Sequence, residues 1–157
     1  MFDTIADKEL EQAIIDNLFV NMYRDLSNEM EVVNSFTEPQ RTIYIISVVE
    51  AQINHDGFKE FYFHSMIQYA EKSEDAFKQI GATKFANVMH KANEVLRQNK
   101  EQLRKEHVGT IESSNQDSLF SKLDGEFYRT YGNEDLKKLK IEFIRKNKPA
   151  FITRKTS

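Results

Sequence analysis

The sequence predicts an all-α fold: a single compact bundle of about six or seven helices around a buried central helix. Three observations carry that expectation. Apolar residues recur at helical rather than alternating spacing along most of the chain, as in Leu10, Ile14, Leu18, Met22 and Leu26. Helix-starting and helix-stopping residues punctuate those stretches. With 5 Gly and 2 Pro in 157 residues, the chain lacks the turn content of a β-sandwich. A chain of this length buries roughly 70% of its unfolded surface and needs no covalent staple. Residues 1–147 are expected to form one domain, and 148–157 a frayed basic tail.

The elements follow in order. The first helix carries the stripe from Leu10 to Leu26, and Asp3, Asp7, Glu9, Glu11 and Asp16 crowd its start, where the helix dipole favours negative charge. Glu29 to Phe36 has no decisive pattern. The next helix opens at Thr37-Glu38-Pro39-Gln40: Thr37 caps, Gln40 completes a capping box, and Pro39 sits in the first turn. Between Ile43 and Ile53 its apolar residues appear on nearly every face, which marks the central, buried helix. Asn54-His55-Asp56-Gly57 ends it, with Gly57 supplying a positive-φ turn. An aromatic helix runs from Phe58 to about Ala70. Ser73 then caps a short helix that stops at the Gly81 turn. Thr83 caps a longer helix with Phe85, Ala86, Val88, Met89, Ala92, Val95 and Leu96 on its inner face; beyond Arg97 it is polar all round. Glu106 to Gln116 reads as a loop. The sixth helix carries Leu119, Phe120, Leu123, Phe127 and Tyr128, tolerating Gly125 at a cost of about 1 kcal/mol. Asn133 caps the last helix, with Leu136, Leu139, Phe143 and Ile144 inside, and Pro149 bars its continuation.

Composition excludes several chemistries. Without cysteine there are no disulfides, thiolate nucleophiles, cysteine-type zinc sites or iron–sulfur clusters. No Walker loop, GxGxxG, HExxH, GxSxG or EF-hand pattern occurs. His55, His64, His90 and His107 match no standard metal spacing, so no metal and no cofactor is expected. The N-terminus lacks the basic-then-apolar order of a signal peptide, and no apolar run is long enough for a membrane span. A cytoplasmic location, with no membrane partner, is therefore expected.

The formal net charge of −3 conceals an asymmetry. Residues 1–50 hold ten acidic side chains against Lys8, Arg24 and Arg41, a net of −7; residues 136–157 hold eight basic ones against Glu142, a net of +7. Either the two ends lie together and neutralise each other, or each meets its own partner.

The segment Glu50-Ala51-Gln52-Ile53-Asn54-His55-Asp56-Gly57-Phe58, continuing through Phe61-Tyr62-Phe63-His64-Ser65, resembles the signature of the DNA-mimic-protein-like family, a bacterial all-helical domain. Downstream, Ile80-Gly81-Ala82, the Ala86 to Ala92 helix, and Leu123-Asp124 with Phe127-Tyr128 extend the likeness over about residues 38–147. His55-Asp56 stand where the family has Asn-Gly, His64 where it has Asn, and Gly125 where a larger residue is usual. The family takes its name from a strongly acidic member that imitates DNA and occupies a transcription regulator. The resemblance implies the helical fold; mimicry needs carboxylates spaced like phosphates over a large face, and here only the first helix offers them.

The leading functional expectation is a non-enzymatic module that binds a protein, as a decoy for a regulator or an antagonist of a toxin. Its candidate partner-binding residues are Asp7, Glu9, Glu11 and Asp16 on the first helix, and Asn54, His55, Asp56, Tyr62 and His64 around the loop; Gly57 and Gly81 are structural turns. One alternative is nucleic-acid binding through Lys137, Lys138, Lys140, Arg145, Lys146 and Lys148, which the scatter of these residues around the helix disfavours. The other is a metal-dependent enzyme built on His55, Asp56, Glu60 and His64. A monomer and a homodimer are both compatible with the sequence.

Overall fold

Local capping starts the longest helix. In the computed structural model, which describes residues 4–23, 29–63, 67–107 and 115–152, Thr37 Oγ1 accepts from Gln40 N at 3.3 Å while Gln40 Oε1 accepts from Thr37 N at 3.0 Å. This is the reciprocal box expected from the sequence. Eight helices occur among the described residues: α1 (Asp7–Tyr23), α2 (Glu29–Ser35), α3 (Glu38–Phe63), α4 (Ile67–Gln79), α5 (Thr83–His107), α6 (Asn115–Thr130), α7 (Leu136–Lys146) and α8 (Lys148–Phe151). The described residues contain no strand.

The centre of the bundle is α3, packed on α4, α5, α6, α1 and α8. Ile43, Tyr44, Ile45, Ile46, Val49 and Ile53 are all buried along it, as expected of a helix apolar on nearly every face. At Gly57 the backbone leaves the helical region, with φ 81° and ψ 175°, so α3 consists of two segments meeting at a kink. Rings from four helices lock together beyond that kink. Phe58 meets Phe127 edge-on at 5.8 Å, Phe127 meets Phe85 at 5.2 Å, and Phe85 stacks on Phe77 at 5.5 Å. Such geometries add stabilisation beyond the buried area itself. Gly81, at φ 83°, closes α4: its own N–H reaches Lys78 O at 3.0 Å and Ala82 N reaches Phe77 O at 2.8 Å, the paired bonds of a Schellman turn.

Several boundaries differ from the sequence expectation. Of the aromatic helix expected from Phe58 to about Ala70, residues 58–63 lie in α3 and 67–70 in α4, with 64–66 outside the described residues; Ser73 lies inside α4, where its hydroxyl donates to Ala70 O at 2.6 Å. A serine satisfied by a carbonyl one turn back needs no cap role. The N-cap of α7 is Asp135 rather than Asn133: the Asp135 carboxylate accepts from Lys138 N at 3.1 Å, while Asn133 Nδ2 donates to Arg129 O. Residues 148–151 belong to a helix rather than a frayed tail, because Pro149 falls in its first turn and Phe151 is buried. Residues 153–157 lie outside the described residues, as does most of the loop expected between Glu106 and Gln116. Tyr128 is 75% exposed and Leu119 is 45% exposed, so the inner face of α6 is Phe120, Leu123 and Phe127.

Candidate functional site

The charged ends of the chain meet at α7. Arg145 Nη2 lies 2.6 Å from Asp7 Oδ1, and its Nε donates to the same oxygen at 2.9 Å. One turn further along α1, the Lys140 ammonium forms an ion pair with Glu11 and another, at 2.8 Å, with Glu50 of α3. Neutralisation between the ends is thus the arrangement these five helix residues adopt. The Lys140 side chain is 5% exposed, with Glu11 and Glu50 at 18% and 20%. Burial by itself lowers the affinity of Lys140 for its proton, but the two carboxylates outweigh it and hold its pKa above the ordinary lysine value.

This lysine continues into the signature segment. Tyr131 donates to Glu50 Oε1 at 2.7 Å and accepts from Asn54 Nδ2 at 2.8 Å. Burial first, and then the charge of Glu50, push the Tyr131 phenol well above its usual range. Glu11, Lys140, Glu50, Tyr131 and Asn54 therefore form one chain of polar contacts joining α1, α7, α3 and the end of α6. A shallow cleft of ≈ 280 Å³ opens beside it between α1 and α3, lined by Glu11, Gln12, Ile15, Ser47, Glu50, Ala51 and Asn54.

The second half of the signature is held from α6. Asp124 Oδ1 accepts from Phe58 N at 2.8 Å and so caps the second segment of α3 from 66 residues away. A Cβ on Gly57 would stand 2.7 Å from Asp124 Oδ2. Two demands thus fall on Gly57, a positive φ and room for the carboxylate. Burial raises the Asp124 pKa, and the Phe58 N–H opposes that rise without cancelling it. Glu134 does for α5 what Asp124 does for α3, accepting from Lys84 N at 3.2 Å and Phe85 N at 3.1 Å.

The remaining predicted residues scatter. His55 is a surface residue, its side chain 83% exposed, with Nδ1 2.7 Å from Asp56 Oδ1. Gln52 Nε2 donates to Asp56 Oδ2 at 2.5 Å. Glu9 and Asp16 are exposed on the outer side of α1, and Asp16 accepts from Gln12 at 2.7 Å. Tyr62 cannot meet a partner at the surface: it is 2% exposed, and its hydroxyl donates to buried Asn93 Oδ1 at 2.7 Å. His64 lies outside the described residues. The basic set proposed for nucleic acid is likewise divided, since Lys140 and Arg145 turn to carboxylates of their own chain. Among the described residues, no three His, Cys, Asp or Glu side chains are grouped to hold a metal ion, and no helix is long and apolar enough to cross a membrane.

Sequence reasoning placed Lys140 on a basic surface, yet one signal marked it. Leu136, Lys140 and Ile144 are four apart and share the buried stripe of α7. A lysine in such a stripe requires a carboxylate partner. Tyr131 and Glu134 carried no comparable local sign.

No curated protein and no solved structure matches the chain. A family model described as DMP19-like protein matches residues 34–147, which takes in the last residues of α2, the whole of α3 to α6, all of α7, and both halves of the polar network except Glu11. With nearly three-quarters of its length matched, and with the signature residues joined as described, the chain belongs to the DMP19-like protein family.

Proposed function

We propose that the protein is a non-enzymatic protein-interaction module whose docking face is the outer side of α1 with the adjoining end of the first segment of α3. One observation carries the reading. Two cations of α7, Lys140 and Arg145, are spent on α1 and α3, and the carboxylates of Glu9 and Asp16 face outward. These two acids are two helical turns apart and so share a face. His55 and Asp56 extend the polar surface beyond the cleft beside Asn54. Tyr131 and Asp124 have raised pKa values of the kind seen at catalytic sites, but each is bound to a helix-joining task. That supports recognition over catalysis.

A face this small, with Lys8 among its acids, suits a basic patch on a protein better than a site shaped for a whole DNA duplex. The test is capture of a stoichiometric protein partner by the wild-type chain and by Glu9→Lys/Asp16→Lys. Both side chains are exposed, so the variant stays folded and loses only the small favourable interaction of Glu9 with the start of α1, a shift of a few degrees at most in the unfolding midpoint, while capture is lost. Equal capture by the two proteins refutes this face.

A further inference from the structure

The family match begins at residue 34, so α1 lies wholly outside it. What α1 covers is nevertheless an apolar surface of the matched region, on α3 and α7. It does so with one apolar stripe, flanked by half-buried Ile15 and Phe19. Leu10, Ile14 and Leu18 are its fully seated side chains, spaced four apart, while Ala13 and Val20 remain exposed. Phe19 adds one ring contact with Tyr44 at 5.5 Å. At the rim, Asp7 pairs with Arg145 and Glu11 with Lys140. The lower-numbered acid meets the higher-numbered base, which sets α1 antiparallel to α7. The four-residue step from Asp7 to Glu11, about 6 Å of helix, thus lies opposite the five-residue step from Lys140 to Arg145.

We infer that the α3–α7 groove is a receptor for an acidic amphipathic helix of a partner protein, and that α1 is its built-in occupant. The groove specifies its ligand: apolar side chains at the positions of Leu10, Ile14 and Leu18, and carboxylates at those of Asp7 and Glu11. Lys140 is also held by Glu50, so the cation stays positioned when α1 leaves. A partner helix of this pattern reproduces the seated apolar contacts and the two ion pairs of α1 and competes with it directly, in the manner of helix-in-groove recognition. This goes beyond the docking face proposed above, because here α1 is displaced rather than read.

The experiment uses a labelled peptide of residues 4–23 as the probe. It is titrated into the full chain carrying Leu10→Asp/Ile14→Asp, which cannot seat its own α1. Saturable binding is expected, tighter than to the wild-type chain by about tenfold or more because the wild-type groove is filled. Adding Arg145→Glu weakens it by about threefold, as suits a half-exposed ion pair, and an Asp7→Arg peptide restores it. Absent binding to a double variant that still unfolds cooperatively overturns the inference, as does binding indifferent to Arg145→Glu. If the double variant does not fold, a chain with a protease site engineered between Tyr23 and Glu29 is cut and mixed with the peptide. Exchange of the cut α1 for the labelled copy supports the receptor, and its absence refutes it. A concentration-dependent dimer of the uncut chain that the peptide dissolves would place a second copy's α1 in the groove and overturn the choice of a partner helix. Glu9→Lys/Asp16→Lys in the peptide leaves binding intact, which separates this result from the outer-face reading.

Discussion

Replacing Gly57 with alanine tests whether the kink of α3 is built around Asp124. At φ 81° and ψ 175° the residue sits in a region that is essentially glycine-only, so a side chain there costs about 1–3 kcal/mol in backbone strain. The new Cβ, 2.7 Å from Asp124 Oδ2, also forces the carboxylate away from Phe58 N. Losing that cap costs about 1 kcal/mol. Alanine returns about 0.4–1 kcal/mol by narrowing the unfolded ensemble. The net expectation is a destabilisation of about 2–3 kcal/mol, a fall in Tm of roughly 5–10 °C for a chain of this size. Gly81→Ala is the internal control. Its φ of 83° is equally positive, but a Cβ there meets only Leu139 Cδ2, at 3.9 Å, so the backbone term alone remains, about 1 kcal/mol. Urea unfolding followed by far-UV circular dichroism measures both, together with Asp124→Ala and the double variant. Because the carboxylate is the obstacle, Gly57→Ala/Asp124→Ala loses less than the sum of its parts. Equal losses at Gly57 and Gly81, or strict additivity in the double variant, would refute the reasoning.

Two further predictions concern charge. Lys140→Met leaves Glu11 and Glu50 facing each other with no cation between them and lowers stability at neutral pH by about 3 kcal/mol; acid titration of its unfolding midpoint recovers part of the loss as a carboxylate takes up a proton. Lys140 itself has a raised pKa, so its contribution is complete below the unfolded lysine value and is lost as pH rises through the folded one, an alkaline limb that Lys140→Met flattens. Asp124 has the opposite sign among carboxyls: its folded pKa lies above its unfolded one, so between them the folded state holds more protons and stability falls as pH rises. Asp124→Asn keeps the acceptor for Phe58 N but not the charge; paired pH–stability curves therefore show wild type gaining on this variant as pH drops through the carboxylate range, and parallel curves contradict the assignment.

Glu50, Asn54, Gly57 and Phe58 were conspicuous in the sequence as a motif, and a motif invites a reading as a binding loop. Their contacts within the fold are structural. Glu50 and Asn54 share the hydroxyl of Tyr131, and Gly57 and Phe58 receive the carboxylate of Asp124. Leu123-Asp124, which completes the family resemblance, is the other half of the same joint. Tyr62 shows why exposure could not be judged locally: in an aromatic helix every ring is a candidate for either side, and only the packing of α5 behind it, with Asn93 waiting for its hydroxyl, places it inside.

What the sequence by itself determined is everything that acts within a turn or two of helix. The Thr37–Gln40 box, the positive-φ stops at Gly57 and Gly81, and the all-round apolar character of α3 follow from interactions between near neighbours, which sequence spacing encodes directly. Tertiary structure alone decided which of two readings the uneven charge deserved. Asp7 and Arg145 are 138 residues apart, Glu50 and Lys140 are 90 apart, and Phe58 and Asp124 are 66 apart. Such pairs have no spacing to recognise, because their meeting depends on how the intervening helices pack. A lysine and a carboxylate look like solvated surface charges until the fold removes the water between them, and only then does their attraction become strong enough to hold α1 in place.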